Sequence, residues 1–193
     1  MGTLPPTRPK NIFLTGTPGC GKTTAILRLA ALLKLEVAPS ATKANIAAAG
    51  FYTEEIREQG RRVGFSIRTL HGESGVLSHV NIKSPHRVSK YGVDVPGFER
   101  LAVPALSAAA ECRRDAKVIL IDEIGKMEAF SREFLAAVEK ALDGEKPVVA
   151  TISRHGGGAI QKIRRRPDAQ TLLVTESNRD DLPDHLFRLV TEQ

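Results

Sequence analysis

Nine residues, GTPGCGKTT from Gly16 to Thr24, constrain this chain more than any other part of its sequence. They contain the pattern G-x-x-x-x-G-K-T, whose glycines let the backbone bend until several N–H groups point at the same phosphate oxygens. An apolar run precedes the pattern, and apolar residues recur at helical spacing from Thr23 to Lys34. Strand, glycine turn and helix are the context that such a loop requires. The sequence therefore predicts a nucleotide phosphate loop made by Gly16, Thr17, Pro18, Gly19, Cys20, Gly21, Lys22, Thr23 and Thr24.

A second apolar segment, KVILIDE, ends in two carboxylates. We expect Lys22 to reach the β and γ phosphates, and the Thr23 hydroxyl to ligate Mg²⁺ together with Asp122. Glu123 stands one residue further on, where a carboxylate can orient and polarise a water for in-line attack on the γ phosphate. An isolated Asp-Glu pair can also cap a helix or lie in solvent, but its combination with a phosphate loop favours the metal site.

The composition bounds the class of protein. A chain of 193 residues with 41% hydrophobic content can bury one core, and the absence of Trp favours a core of Val, Ile, Leu and Ala, typical of buried parallel strands. The net charge of +6 favours anionic partners without choosing among them. Cys20 and Cys112 are too few for a disulfide framework or zinc site. We expect a monomer in the cytoplasm, without a membrane span.

Apolar runs that alternate with helical patterns predict an α/β fold with a mainly parallel sheet. The predicted strands of this kind are Asn11–Thr15, Lys117–Ile121, Val148–Thr151 and Thr171–Val174. Besides the helix after the phosphate loop, the predicted helices are Pro96–Cys112, a helix from a cap at Ser131 to a stop at Gly144, Ala159–Arg165 and Leu182–Val190.

The remaining segments are predicted to lie outside this alternation. Two strand patterns, Phe51–Arg57 and Arg62–Leu70, flank a short turn and predict an antiparallel β-hairpin. Residues 71–97 are rich in turn-forming residues and are expected to form surface loop with one short strand near Tyr91. We expect residues 1–10 to be a flexible leader, residues 35–47 to be a loop, and residues 11–193 to form a single domain.

Six segments in this order closely resemble the cancer-related nucleoside triphosphatase family, which includes thermophile members. They are TGTPGCGKTT, GFYTEEIREQGRRVGFSIRTL, KYGVDVPGFE, VILIDEIGKME, VVATI and TESNRDDL. The resemblance implies a three-layer, RecA-like phosphate-loop fold with parallel strands in the order 5-1-4-3-2, counting the strands near residues 12, 51, 119, 149 and 172, so that the first hairpin strand also joins the parallel sheet. It also implies slow, Mg²⁺-dependent hydrolysis of several nucleoside triphosphates. The family commonly has Gly where this chain has Ser89, in a turn that Gly would ease.

Several further residues are candidates for the site. In the order 5-1-4-3-2, Thr151 ends the strand between the phosphate-loop strand and the acidic strand, so its hydroxyl could donate to the γ phosphate or the attacking water, or satisfy local backbone. Arg164 or Arg166 could act as an arginine finger, with Arg87 as a weaker rival, or form a solvated basic helix end. Cys20 could be a redox-sensitive thiol or simply a small side chain that fills the loop.

The loop after the last strand should run beside the nucleoside. Asn178 can donate and accept through its amide, and Arg179 can stack on any base, which together predict broad base specificity. Asn178 could instead cap the final helix. The favoured function is Mg²⁺-dependent hydrolysis of ATP, GTP, CTP and UTP. A nucleotide or nucleoside kinase is the first alternative, and a nucleotide-dependent switch or nucleic-acid-binding module is the second, although scattered aromatics make nucleic acid a poor fit.

Overall fold

The structure is a computed structural model that describes residues 9–35, 48–111 and 116–192. Its helices are α1 Lys22–Leu35, α2 Val95–Glu111, α3 Arg132–Asp143, α4 Gly158–Arg164 and α5 Leu182–Thr191, with a short 3-10 helix at Glu128–Phe130. Its strands are β1 Asn11–Thr15, β2 Ala48–Glu58, β3 Arg61–Thr69, β4 Ser74–His79, β5 Arg87–Val88, β6 Tyr91–Val93, β7 Val118–Ile124, β8 Val148–Ile152 and β9 Ala169–Leu173. The predictions for residues 1–8, the loop 36–47 and Cys112 concern parts of the chain outside these ranges.

The nine strands form one sheet in the order β5-β6-β4-β3-β2-β7-β8-β1-β9. Strands β2, β7, β8, β1 and β9 are mutually parallel. Counted along the chain, these five strands have the order 5-1-4-3-2. Because the carboxyl ends of parallel strands meet at one edge of a sheet, this order brings the loops that follow β1, β7, β8 and β9 together.

Helices cover both faces of the sheet and give three layers. In β1, Ile12 and Leu14 pack into one core with residues of α1 and α5, whereas Phe13 packs into a second core with residues of α2, α3 and α4. This alternation follows from the pleat, which sends successive side chains to opposite faces. The predicted α/β three-layer class is confirmed. No helix in the described ranges is long and apolar enough to cross a membrane.

The segment 71–97 differs from its prediction, because it contributes three strands rather than one. β4 pairs antiparallel with β3 and with β6, and β5 pairs with β6. These strands have two to six residues and bury few side chains, such as Leu77 in β4. Pairing with neighbouring strands stabilises them. β6 is the strand expected near Tyr91, whereas no apolar run marks β4 or the two residues of β5.

The predicted hairpin exists and projects beyond the parallel sheet. β2 pairs with β7 over Ala48–Phe51, and from Phe51 to Glu58 it pairs with β3. The turn uses Gln59 and Gly60, both with positive φ, as a tight hairpin turn requires. The outer half of the hairpin therefore stands past the carboxyl edge of β7, beside the loops that follow the parallel strands.

Candidate functional site

The phosphate loop joins β1 to α1, and two of its positions require glycine. A Cβ on Gly16 would lie 2.7 Å from Cys20 Sγ and 2.8 Å from the Val174 carbonyl oxygen, so only glycine fits there. Gly21 has φ +107°, a conformation that side chains rarely adopt. Cys20 is buried in the core beneath the loop. This burial favours its space-filling interpretation over a redox role.

Lys22 is folded back over the loop. Its Nζ donates to the Gly16 carbonyl at 3.2 Å and to the Thr17 carbonyl at 3.0 Å. The positive charge thus lies among the loop residues and at the amino-terminal end of α1, where the helix dipole adds partial positive charge. Together they make an anion-binding concavity.

Asp122 lies on β7, opposite the phosphate loop, and its carboxylate is bound by two hydroxyls. Thr23 Oγ1 donates to Asp122 Oδ2 at 2.7 Å, and Thr151 Oγ1 donates to Asp122 Oδ1 at 2.5 Å. Burial raises the pKa of Asp122, and these two hydrogen bonds partly offset that rise. In this structure Thr151 therefore positions Asp122. Its hydroxyl had been expected to donate to the γ phosphate, the attacking water or local backbone.

A Mg²⁺ ion fits the donor set that Thr23 and Asp122 provide. Both donors are hard oxygens, they already lie in contact, and the Asp122 carboxylate is buried beside the phosphate loop. The described residues contain no group of three or more His, Cys, Asp or Glu that could hold a metal. The other ligands would therefore come from phosphate oxygens and water, as is usual for Mg²⁺ at phosphate sites.

Glu123 and Glu128 lie on either side of Gly125. A Cβ on Gly125 would be 2.4 Å from Glu123 Oε1 and 2.8 Å from Glu128 Oε2. Burial and the neighbouring Asp122 raise the pKa of Glu123, while Lys22 lowers it. Burial and the Glu123 carboxylate raise the pKa of Glu128 to about 8. The sequence motif DEIGKME contains Glu128, but no local spacing signalled that its side chain would turn into the site.

One cavity of about 670 Å³ lies between the phosphate loop and these two glutamates. Its floor is the phosphate loop, and Glu123 and Glu128 line it together with side chains of the projecting hairpin. Glu55 of the hairpin faces this cavity, whereas Glu54 pairs with Arg68 at 2.5 Å, as expected for neighbours on a pleated strand. A second cavity of about 400 Å³ lies on the β9 side of the loop and is lined by Thr17–Cys20, Arg154 and residues 173–176.

The arginine predictions are partly corrected. Arg166 is bound by Asp143 at 2.6 Å and Asp168 at 2.8 Å. Asp168 in turn accepts from the Asn11 side chain at the start of β1, so Arg166 lies at the amino-terminal edge of the sheet, away from the phosphate loop. Arg87 donates to the Lys90 carbonyl in the β5–β6 turn. Neither arginine is brought to the site.

Arg154 was not singled out from the sequence, but it borders the phosphate loop. It follows β8 by two residues, is exposed and lines both cavities. Arg164 Nη1 donates to its backbone carbonyl at 2.6 Å, so Arg164 touches the loop that carries Arg154. The sequence signal was weak because Arg154 is a single residue in a glycine-rich loop, whereas residues 164–166 form a basic run.

The loop after β9 lies beside the phosphate loop, as expected. Asn178 accepts from the Thr175 backbone N–H at 2.9 Å and donates to the Leu173 carbonyl at 2.9 Å. Its amide therefore braces this loop, and the N-cap position of α5 belongs to Asp181. The Arg179 side chain packs 3.3 Å from where a Cβ of Gly21 would stand.

This fold and site define a phosphate-loop nucleotide-binding protein of the α/β class. The glycine turn, the lysine, the threonine hydroxyl and a buried aspartate on a neighbouring parallel strand are combined in the geometry of that class. The model of a family described as NTPase matches residues 11–187. The chain belongs to this NTPase family.

Individual relatives agree with the family assignment. The chain is 42% identical to nucleoside-triphosphatase THEP1 of Thermotoga sp. (strain RQ2), a match that covers 93% of this chain and 94% of the relative. It is 40% identical to the cancer-related nucleoside-triphosphatase of Homo sapiens, covering 91% and 94%. The crystal structure of THEP1 from the hyperthermophile Aquifex aeolicus superposes with a TM-score of 0.79 at 37% identity, covering 94% of this chain and 99% of that one. The resemblance inferred from the sequence motifs is confirmed.

Proposed function

We propose that this protein hydrolyses nucleoside 5'-triphosphates to the diphosphate and phosphate, using Glu123 as the general base. The observation that carries the proposal is the shared cavity, which the phosphate loop and the Glu123 carboxylate both line. The printed names of the relatives support the same activity for those proteins.

The mechanism follows from the positions of the groups. The loop N–H groups and Lys22 hold the β and γ phosphates, and Glu123 accepts a proton from a water that attacks the γ phosphorus. The new P–O bond forms as the bond to the bridging oxygen of the β phosphate breaks in line with it. A Mg²⁺ ion held by Thr23 and Asp122 would neutralise charge on the phosphate oxygens. Thr151 keeps Asp122 oriented through the 2.5 Å hydrogen bond.

We assign the charge-stabilising arginine to Arg154. Its side chain borders the cavity over the phosphate loop, and the fixed contact between Arg164 and the Arg154 carbonyl supports a defined loop position. A guanidinium here would neutralise charge that develops on the γ phosphoryl group. Arg164 then acts as a positioning residue.

Broad base specificity is part of the proposal. The second cavity, where the base would lie, is lined by phosphate-loop residues, by Arg154 and by residues 173–176. Asn178 uses its amide within the loop, so it does not supply a base-specific contact. We expect kcat/KM values for ATP, GTP, CTP and UTP within about tenfold of each other, measured as phosphate release, and slow turnover throughout.

Two variants test the activity. Glu123→Gln should keep nucleotide and Mg²⁺ binding while kcat falls by roughly 10²-fold or more, because the base that accepts the water proton is lost. Lys22→Ala should weaken both binding and turnover, because that charge contacts phosphate before and during the reaction. The measurements are nucleotide affinity by calorimetry and phosphate release without an acceptor. Near-normal turnover of Glu123→Gln would remove Glu123 from the mechanism.

A further inference from the structure

The outer part of the hairpin presents three side chains to the large cavity, Glu55, Arg62 and Phe65, which we call the hairpin wall. The wall stands across the cavity from the phosphate loop, because β2 and β3 continue past the carboxyl edge of β7. Glu123 also lines this cavity. A molecule on the hairpin wall would therefore share the cavity with the γ phosphate and the proposed general base.

The position of β1 in the sheet separates the hairpin wall from the nucleoside end of a triphosphate. β9 is the neighbour of β1 on one side, and β2 is the third strand from β1 on the other side. Strands are spaced about 4.8 Å apart, so β2 lies roughly 14 Å from β1. The cavity proposed for the base borders β9. The hairpin wall is thus on the opposite side of the phosphate loop, where a base bound beside β9 cannot reach.

Hydrogen bonds and ring contacts connect the side chains of the hairpin wall before any ligand arrives. Arg62 Nη1 donates to Glu55 Oε1 at 2.6 Å, and Arg62 Nε donates to the Tyr91 hydroxyl at 3.1 Å. The guanidinium lies 5.1 Å from the centre of the Phe65 ring. Arg57 binds the other oxygen of Glu55 at 2.9 and 2.5 Å. Such fixed groups reduce the ordering cost of binding.

The groups left available on the hairpin wall define a ligand chemistry. Arg62 Nη2 makes no hydrogen bond within the described ranges, so it can donate, and Glu55 Oε1 keeps an acceptor position beside its bond to Arg62. Hydrogen bonds from Arg62 hold the pKa of Glu55 below its ordinary value, which keeps it an acceptor. The guanidinium lies over both the Phe65 and the Tyr91 rings, so a ligand meets its N–H edge. Leu77 and Val88 add apolar surface nearby.

We infer that the hairpin wall binds a second small molecule, a nucleoside-like heterocycle with an N–H donor and a ring acceptor, while a triphosphate occupies the phosphate loop. The edge of the ring lies in the plane of the guanidinium, so that its N–H donates to Glu55 and its ring acceptor accepts from Arg62 Nη2. This inference rests on the proposed function for the location of the triphosphate. Because the ligand fills the cavity beside Glu123, it displaces the water that hydrolysis needs.

The experiment is calorimetric titration of the full chain, saturated with Mg²⁺ and the non-hydrolysable triphosphate AMP-PNP, with adenosine, guanosine and cytidine. At least one nucleoside should bind to the loaded protein with 1:1 stoichiometry, and the same nucleoside should slow phosphate release from ATP. Arg62→Ala should weaken this binding by roughly tenfold or more, since it removes the Nη2 donor that the ring acceptor needs. The KM for ATP should stay within about twofold of the wild-type value.

The matched control is Arg57→Ala. Arg57 bonds the same Glu55 carboxylate but is not among the residues that line the cavity. It should leave nucleoside affinity within about twofold. Absence of nucleoside binding to the loaded protein, competition between nucleoside and AMP-PNP, or a KM for ATP raised by Arg62→Ala would each overturn the inference. Binding to the AMP-PNP complex needs no turnover, so a failure of the proposed hydrolysis would be seen separately as absent phosphate release.

Discussion

At the scale of single residues, Glu128 is one of two fully buried carboxylates in the site, with Asp122. It is 4% exposed, and both the lost hydration and the negative charge of Glu123 disfavour its ionised form. Its pKa of about 8 means that it is mainly protonated at neutral pH. A neutral Glu128 adds no further repulsion to the neighbouring Asp122 and Glu123 carboxylates.

The protonation of Glu128 predicts a pH dependence of stability. The unfolded chain releases this proton near the ordinary value of 4.5, whereas the folded protein keeps it to about pH 8. The free energy of unfolding therefore loses this contribution progressively as pH rises from about 4.5 to about 8, and the loss is complete above that. Glu128→Gln should gain stability relative to wild type over the same interval, measured as Tm at several pH values. Parallel curves for the two proteins would contradict the assignment, and Glu133→Gln, exposed on α3, is the control.

The sequence predicted the residues whose chemistry is local. The phosphate loop and its adjoining strand and helix are contiguous, so their pattern alone sets the expected geometry. Asp122 was found because it ends an apolar run, and the hydroxyl–carboxylate contact with Thr23 agrees with the expected metal pair. Glu128 and Arg154 were not assigned roles. Their side chains reach the site through turns after β7 and β8, which no periodicity encodes.

At the scale of elements, two tight turns each place a residue in the left-handed backbone region. In one turn that residue is a glycine, which tolerates this conformation, and in the other it is a serine. The β5–β6 turn contains Ser89 with φ +54°, and the β2–β3 turn contains Gly60 with φ +77°. A side chain at such a φ is strained by contact with its own backbone, and Gly avoids that strain. The family commonly has Gly at this position, so the sequence had already indicated backbone strain at Ser89.

Reciprocal substitutions in these turns should change stability in opposite directions. Ser89→Gly should raise the free energy of unfolding by up to roughly 1 kcal/mol, and Gly60→Ala should lower it by about 1 kcal/mol. A Cβ at Gly60 would touch nothing within 4 Å, so strain and not a clash would be measured. The measurement is urea unfolding with unchanged m value. A destabilised Ser89→Gly protein would show that the Ser89 side chain contributes more than the strain costs.

Elements with strong local signals were predicted closely, and those without them were not. The cap of α3 was expected at Ser131, and Ser131 Oγ accepts from the Phe134 N–H at 2.9 Å. The hairpin was expected from its alternation and turn. β4 and β5 were predicted as loop, because they exist through pairing and not through composition, whereas β6 lies where one short strand was expected near Tyr91.

At the scale of the whole molecule, β1 separates two arginine environments. The phosphate loop and Arg154 lie beyond its carboxyl end, and Arg166 with its two aspartates lies at its amino end. Five residues of strand span about 16 Å. Arg164 and Arg166 are two residues apart in the sequence, but Arg164 contacts the Arg154 loop whereas Arg166 lies at the opposite end of the sheet. No local sequence pattern could have distinguished them.

Alanine substitutions of Arg154 and Arg166 should therefore have different effects. Arg154→Ala should lower kcat on the order of 10²-fold with little change in Tm, because it removes the positive charge that stabilises the reacting γ phosphoryl group. Arg166→Ala should keep kcat and lower stability by roughly 1 kcal/mol, a modest value because its partners are partly exposed. Steady-state phosphate release and thermal unfolding measure these effects. Loss of turnover in Arg166→Ala at unchanged stability would reverse the assignment.

The shortness of β5 also bears on how the molecule behaves in a crowded solution. β5 closes one side of the nine-stranded sheet with two residues. An open sheet edge is a template on which another chain can add a strand and begin cross-β aggregation. Two residues offer too few hydrogen bonds to offset the entropy lost by an incoming segment. Arg87 would in addition have to be desolvated, so this margin of the sheet resists strand addition.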